Sequence, residues 1–155
     1  MSKIYFLLKT NKMENIQTII GREFPGKVIP LIQQAKKEIL IVVFDWRWYP
    51  EQPAYSIQKF NQAIVQKAKS PVVIKVILIT KATAAILKSC GVEVSVREFG
   101  GLVHSKLILI DDDIVVIGSH NFTYNAFETN FESSVIVKDE FAHAEFKKYF
   151  QNLWI

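Results

Sequence analysis

With a single cysteine, Cys90, the chain of 155 residues can form no intrachain disulfide. The fold must hold without a covalent staple, and nothing points to an oxidising compartment. Long apolar runs are also missing. Val72–Thr80 is interrupted by Lys75 and reaches about half the ~20 residues that a bilayer span needs. Ile4–Leu8 is shorter than the about 7–15 residues of a signal-peptide core, so residence in the cytoplasm is expected. Charge of one sign is scarcely in excess. Nineteen basic residues against fifteen acidic ones give +4, a mild bias toward anionic partners and no nucleic-acid-binding tail. Half of the residues are apolar and 22% are charged, which excludes a disordered tail or a low-complexity linker. What remains is one domain over residues 1–155, long enough to bury roughly 70% of the surface its unfolded form exposes.

Short apolar runs alternate with amphipathic stretches, the pattern of an α/β fold. Helices are expected over Pro25–Lys37, Gln52–Lys69, Lys81–Cys90 and Glu140–Leu153. The last offers Phe141, Phe146 and Phe150, with Trp154 beyond it, to the core. Gly91 caps the third helix. Strands are expected over Glu38–Phe44, Val72–Thr80, Val92–Arg97, His104–Ile110, Ile114–Ile117 and Phe131–Val137. Residues 1–20 read poorly, as one or two edge strands.

Three polar pairs stand at the ends of apolar strands, each spaced i and i+2: His104 with Lys106, Ser119 with Asn121, Asn130 with Glu132. Buried strands seldom carry such residues, and i and i+2 share one face of a strand. A two-residue loop at Asp112-Asp113 would set His104 opposite Asn121 and Lys106 opposite Ser119. A three-residue loop would pair Lys106 with Gly118 instead. Asp111 lies an odd number of residues from His104 and about 23 Å further along at ~3.3 Å per residue. It therefore reads as a turn or ion-pair residue, and Glu132 is the better carboxylate to orient the His104 ring.

His104-Ser105-Lys106, four apolar residues and Asp111 spell H-x-K-x4-D, followed by Gly118-Ser119-His120-Asn121-Phe122-Thr123 and by Asn130-Phe131-Glu132. Together these resemble the phospholipase D superfamily, in particular its short single-motif nucleases, from about Phe24 to the C-terminus. The resemblance implies a mixed β-sheet flanked by helices on both sides. It implies an active site built from two H-x-K motifs. This chain has one, since neither His120 nor His143 has a lysine two residues on, so the resemblance implies a homodimer. The implied chemistry is metal-independent phosphodiester cleavage with no cofactor. His104 is the nucleophile, and the second His104 the general acid. Lys106, Ser119 and Asn121 hold the phosphoryl oxygens, and Asn130 and Glu132 match the N-x-E element.

The acidic triplet Asp111–Asp113 is better read as a solvated hairpin turn than as a metal site. His120 points away from the site, and Cys90 is a small buried hydrophobe. The segment after the first long strand carries Trp46, Arg47 and Trp48. It suits stacking on unpaired bases or packing beneath the loop or into an interface. Functionally, an endonuclease acting on DNA or RNA leads, with no membrane partner. A lipid-active phospholipase or phosphatidyl transferase and an idle nucleic-acid-binding module are the alternatives.

Overall fold

Glu38–Val42 (EILIV) is apolar on both faces, which suits a strand covered on both sides. In the computed structural model, which describes residues 15–98 and 100–154, it lies inside a seven-stranded sheet. The strands are β1 (Ile16–Ile20), β2 (Glu38–Val42), β3 (Val73–Leu78), β4 (Glu93–Val96), β5 (Leu107–Ile110), β6 (Ile114–Gly118) and β7 (Ser133–Lys138). The helices are α1 (Phe24–Gln34), α2 (Ser56–Ala68), α3 (Lys81–Ser89), α4 (Tyr124–Glu128) and α5 (Glu140–Leu153). Across the sheet the order is β1-β7-β6-β5-β2-β3-β4. β2, β3 and β4 run parallel, joined through α2 and α3, because parallel neighbours need a crossover. All other pairs are antiparallel.

Strand alternation divides the core. Ile39, Ile41 and Val43 enter the larger cluster with α1 to α4, whereas Leu40 and Val42 face α5 with Leu107, Leu109 and Phe150. The sheet is therefore mixed and flanked by helices on both sides, as expected. Among the described residues no helix is long and apolar enough to cross a membrane.

Three expectations need correction. Ile110 pairs with Ile114, so the hairpin loop holds three residues, and Lys106 falls opposite Gly118 rather than Ser119. The reason is Asp111, which adopts φ 54 in the left-handed region that Asp enters more readily than most residues. Phe141 is 76% exposed and does not join the core, because its position on α5 faces away from the sheet. Cys90 is half-buried at the end of α3. Of the first twenty residues, β1 forms an edge strand, and residues 1–14 lie outside the described residues.

Candidate active site

One end of the sheet collects every polar pair read from the sequence. β2 is antiparallel to β5, β5 to β6 and β6 to β7. The start of β5, the end of β6, the start of β7 and the end of β2 therefore meet. His104 and Lys106 precede β5, Ser119 and Asn121 follow β6, Asn130 and Glu132 precede β7, and Asp45–Trp48 follow β2.

Lys106 is nearly buried, and its Nζ lies 3.3 Å from His104 Nδ1 and 3.2 Å from Nε2. The two lone pairs of an imidazole diverge, so one ammonium serves at most one of them. Nζ also donates to the His104 carbonyl at 2.7 Å, which fixes its place. Burial pulls the Lys106 ammonium below the ordinary lysine range, and the nearby Glu132 carboxylate opposes that shift. The Phe44 ring backs the pair, its centroid 5.2 Å from the His104 ring and 5.7 Å from Lys106 Nζ.

Glu132 accepts hydrogen bonds from Ser119 Oγ and from Asn130 Nδ2, the latter at 3.1 Å. The Ser119 hydroxyl in turn accepts from the Ser133 amide at 3.1 Å. Among the described residues Glu132 makes no hydrogen bond to His104; within one chain it gathers the second and third pairs instead. Asn121 is oriented by a main-chain donor. The Asp45 amide meets its Oδ1 at 3.2 Å, which leaves the Nδ2 hydrogens free to donate outward.

Asp111 stands at the opposite end of the sheet. Its carboxylate accepts from the amides of Lys36 (3.0 Å), Lys37 (2.8 Å) and Glu38 (3.3 Å), and it pins the entry into β2. It touches no other member of the site.

Trp46 must be removed from the candidate substrate contacts. Its ring is fully buried, edge-on to Phe122 at 5.0 Å, and its Nε1 donates to Asn61 Oδ1 at 2.7 Å. Trp48 packs half-buried against the same core. Arg47 is exposed and ion-paired with Asp45, Nε to Oδ1 2.7 Å.

His120 is wholly buried between the Gly21 carbonyl (2.8 Å from Nε2) and Ser134 Oγ (2.7 Å from Nδ1). A carbonyl only accepts, so Nε2 carries the proton and Nδ1 accepts from the hydroxyl. Burial pushes this imidazole below its ordinary value, against the Gly21 hydrogen bond.

Sequence reasoning gave Asp45 and Gly118 no role of their own and missed the buried amides beneath them. Phe122 N donates to Asp45 O (2.9 Å) and Arg47 N to Phe122 O (2.8 Å), which stitches the loop after β2 to the segment after β6. Asn61, Gln58 and Thr83 hold that loop from α2 and α3. Polar residues on the apolar face of an expected helix, as Asn61 is beside Phe60 and Ile64, were the available signal. At Gly118 a Cβ would collide with the Ser133–Ser134 backbone, so only glycine lets β6 and β7 approach there.

Comparisons with known proteins agree with this arrangement. A family profile described as cardiolipin synthase, PLD-like domain, matches residues 28–154. Cardiolipin synthase 1 of Staphylococcus aureus is 44% identical over 61 residues, which span 39% of this chain and 12% of that protein. NucT from Helicobacter pylori superposes with a TM-score of 0.74 at 19% identity, covering 89% of this chain and 94% of that one. Nuc, a phospholipase D family member from Salmonella typhimurium, gives 0.73 at 21% identity, covering 90% and 94%.

Proposed function

The chain belongs to the PLD-like domain family of the phospholipase D superfamily, and on that premise we propose that it is a phosphodiesterase, an endonuclease whose active site is shared between two copies of the chain. The observation that carries this reading is the Lys106 ammonium set against the exposed His104 ring, beside the Ser119–Glu132–Asn130 network.

His104 of one copy attacks phosphorus. A P–N bond forms, the P–O bond to the leaving group breaks, and the second copy's imidazolium gives its proton to the departing oxygen. That imidazole then takes a proton from water, whose oxygen attacks phosphorus and expels the first imidazole. Lys106 and the Asn121 amide donate to the non-bridging oxygens where charge develops, the Ser119 hydroxyl joins them on turning from Glu132, and no metal is called for. The net charge of +4 and the near end-to-end match to NucT and Nuc support a polynucleotide substrate.

A second reading, a lipid diester, is favoured by the likeness to cardiolipin synthase 1 and by one feature of the structure. A groove of about 470 Å³ lined by Leu107, Ile117, Phe141, Phe146 and Tyr149 opens beside Ser105. Incubation with labelled DNA, RNA and phosphatidylcholine in EDTA separates the two. Cleavage of a polynucleotide undiminished by EDTA supports the nuclease reading. Cleavage of phosphatidylcholine alone transfers the protein to the lipid one.

A further inference from the structure

The sheet is closed on one face and half bare on the other. At β1, β7 and β6 the side turned to α1–α4 is sealed, with Ile19, Ile136 and Val116 buried. The side turned to α5 is open at that edge, because α5 packs over β2, β5 and β6. Val137 and Ile117 are only half-buried, and Ile16, paired with Val137, is 52% exposed. The groove beside α5 continues this strip, with Phe141 at its rim, 76% exposed. An apolar face of this extent marks a surface that another group covers.

We infer that the apolar run Ile4-Tyr5-Phe6-Leu7-Leu8 of the same chain lies in this groove and covers the bare side of the sheet. The position of Asn15, the first described residue, supports that occupant. Its carbonyl accepts from the Lys138 amide at 2.8 Å, and it lines a depression with Asp113, Asp139, Glu140 and Phe141. Phe141 also lines the groove, so the two hollows adjoin. Residues 9–14 can span up to about 20 Å. The groove from Phe141 to Tyr149 is about 12 Å long at ~1.5 Å per residue of α5. The run therefore reaches it with chain to spare. Charge agrees: the depression sets three carboxylates against the one ammonium of Lys138, and the connecting residues carry Lys9 and Lys12 against Glu14. A second copy fits less well, since an isologous contact would lay one concave face on another. A phospholipid would bring its phosphate toward the same carboxylates.

Cross-linking tests this on the full chain carrying Cys90→Ser, so that only introduced thiols react. A short bis-maleimide should join Phe6→Cys to Phe141→Cys within one chain. It should not join Phe6→Cys to Gln62→Cys, exposed on α2 across the sheet. Mixing isotope-labelled with unlabelled chains separates links within a chain from links between chains by mass. Phe6→Glu/Leu7→Glu, one residue of each parity, should raise binding of the apolar dye ANS several-fold. The same variant should melt lower by roughly 5–10 °C. Links between chains overturn the inference in favour of a second copy. Equal linking at positions 62 and 141, or dye binding and melting left unchanged, overturns it outright. So does flotation with phosphatidylcholine vesicles that Phe141→Glu abolishes and Phe6→Glu/Leu7→Glu leaves intact, which would assign the groove to lipid.

Discussion

Replacing Asp111 by alanine should lower stability while sparing turnover, although this residue closes the H-x-K-x4-D signature. Its carboxylate collects three consecutive amides at the start of β2, and its own backbone sits at φ 54. Hydrogen bonds to a charged group contribute about 1.5–3 kcal/mol each where water is excluded. These are open to solvent, so about half of that survives for the set. Alanine in the left-handed region adds roughly 1 kcal/mol. The sum is about 2–2.5 kcal/mol, or a melting point lower by roughly 4–10 °C in a domain of this size. Asparagine keeps an acceptor and tolerates the same φ, so Asp111→Asn should cost only about 1 kcal/mol, a few degrees. Differential scanning calorimetry, paired with kcat on bis-p-nitrophenyl phosphate well below the transition, reads both quantities. A tenfold loss of kcat at unchanged melting would refute the reasoning and return Asp111 to the chemistry.

His104→Ala should abolish turnover with an unchanged circular dichroism spectrum, and mixed dimers with wild type should be inactive. Mixed dimers with half the wild-type rate would exclude a shared centre. Trp46→Phe should destabilise by about 1–3 kcal/mol through the orphaned Asn61 carbonyl, with the Michaelis constant for single strands unmoved in steady-state assays. His143 is buried with Nε2 unpartnered, and burial, helped by Lys147 and opposed by Glu38, Asp112 and Asp113, holds its pKa below the ordinary value. The unfolded chain therefore binds more protons on acidification. Stability should be complete above neutrality and fall as pH drops through about 6.5. Urea midpoints at neutral and mildly acidic pH would show this, and His143→Leu should flatten the dependence.

The convergence of the polar pairs was legible because rare residues stand at fixed spacing beside apolar strands, and such an H-x-K has few structural explanations. The bounds of α5 were legible in its periodicity, and Glu140–Leu153 is the helix observed. Partners far along the chain were not. That Trp46 is core depends on Asn61 and Thr83, 15 and 37 residues away, which no local pattern announces. The hairpin register turned on whether Asp111 would enter the left-handed region. Three successive aspartates leave that choice to the amides of Lys36 to Glu38, supplied at the start of the neighbouring strand β2.

Two of the contacts that support the site reach far along the chain. Asp45 meets Asn121 across 76 residues and Gly21 meets His120 across 99. The β5–β6 hairpin forms across three. Long loops close late, because their entropy is lost before their contacts form. During refolding the hairpin and the helices should appear well ahead of activity. On the ribosome, a chain that has not yet delivered β7 would carry His104 and Lys106 without Glu132. A site wired this way stays unassembled until β7 has joined the sheet.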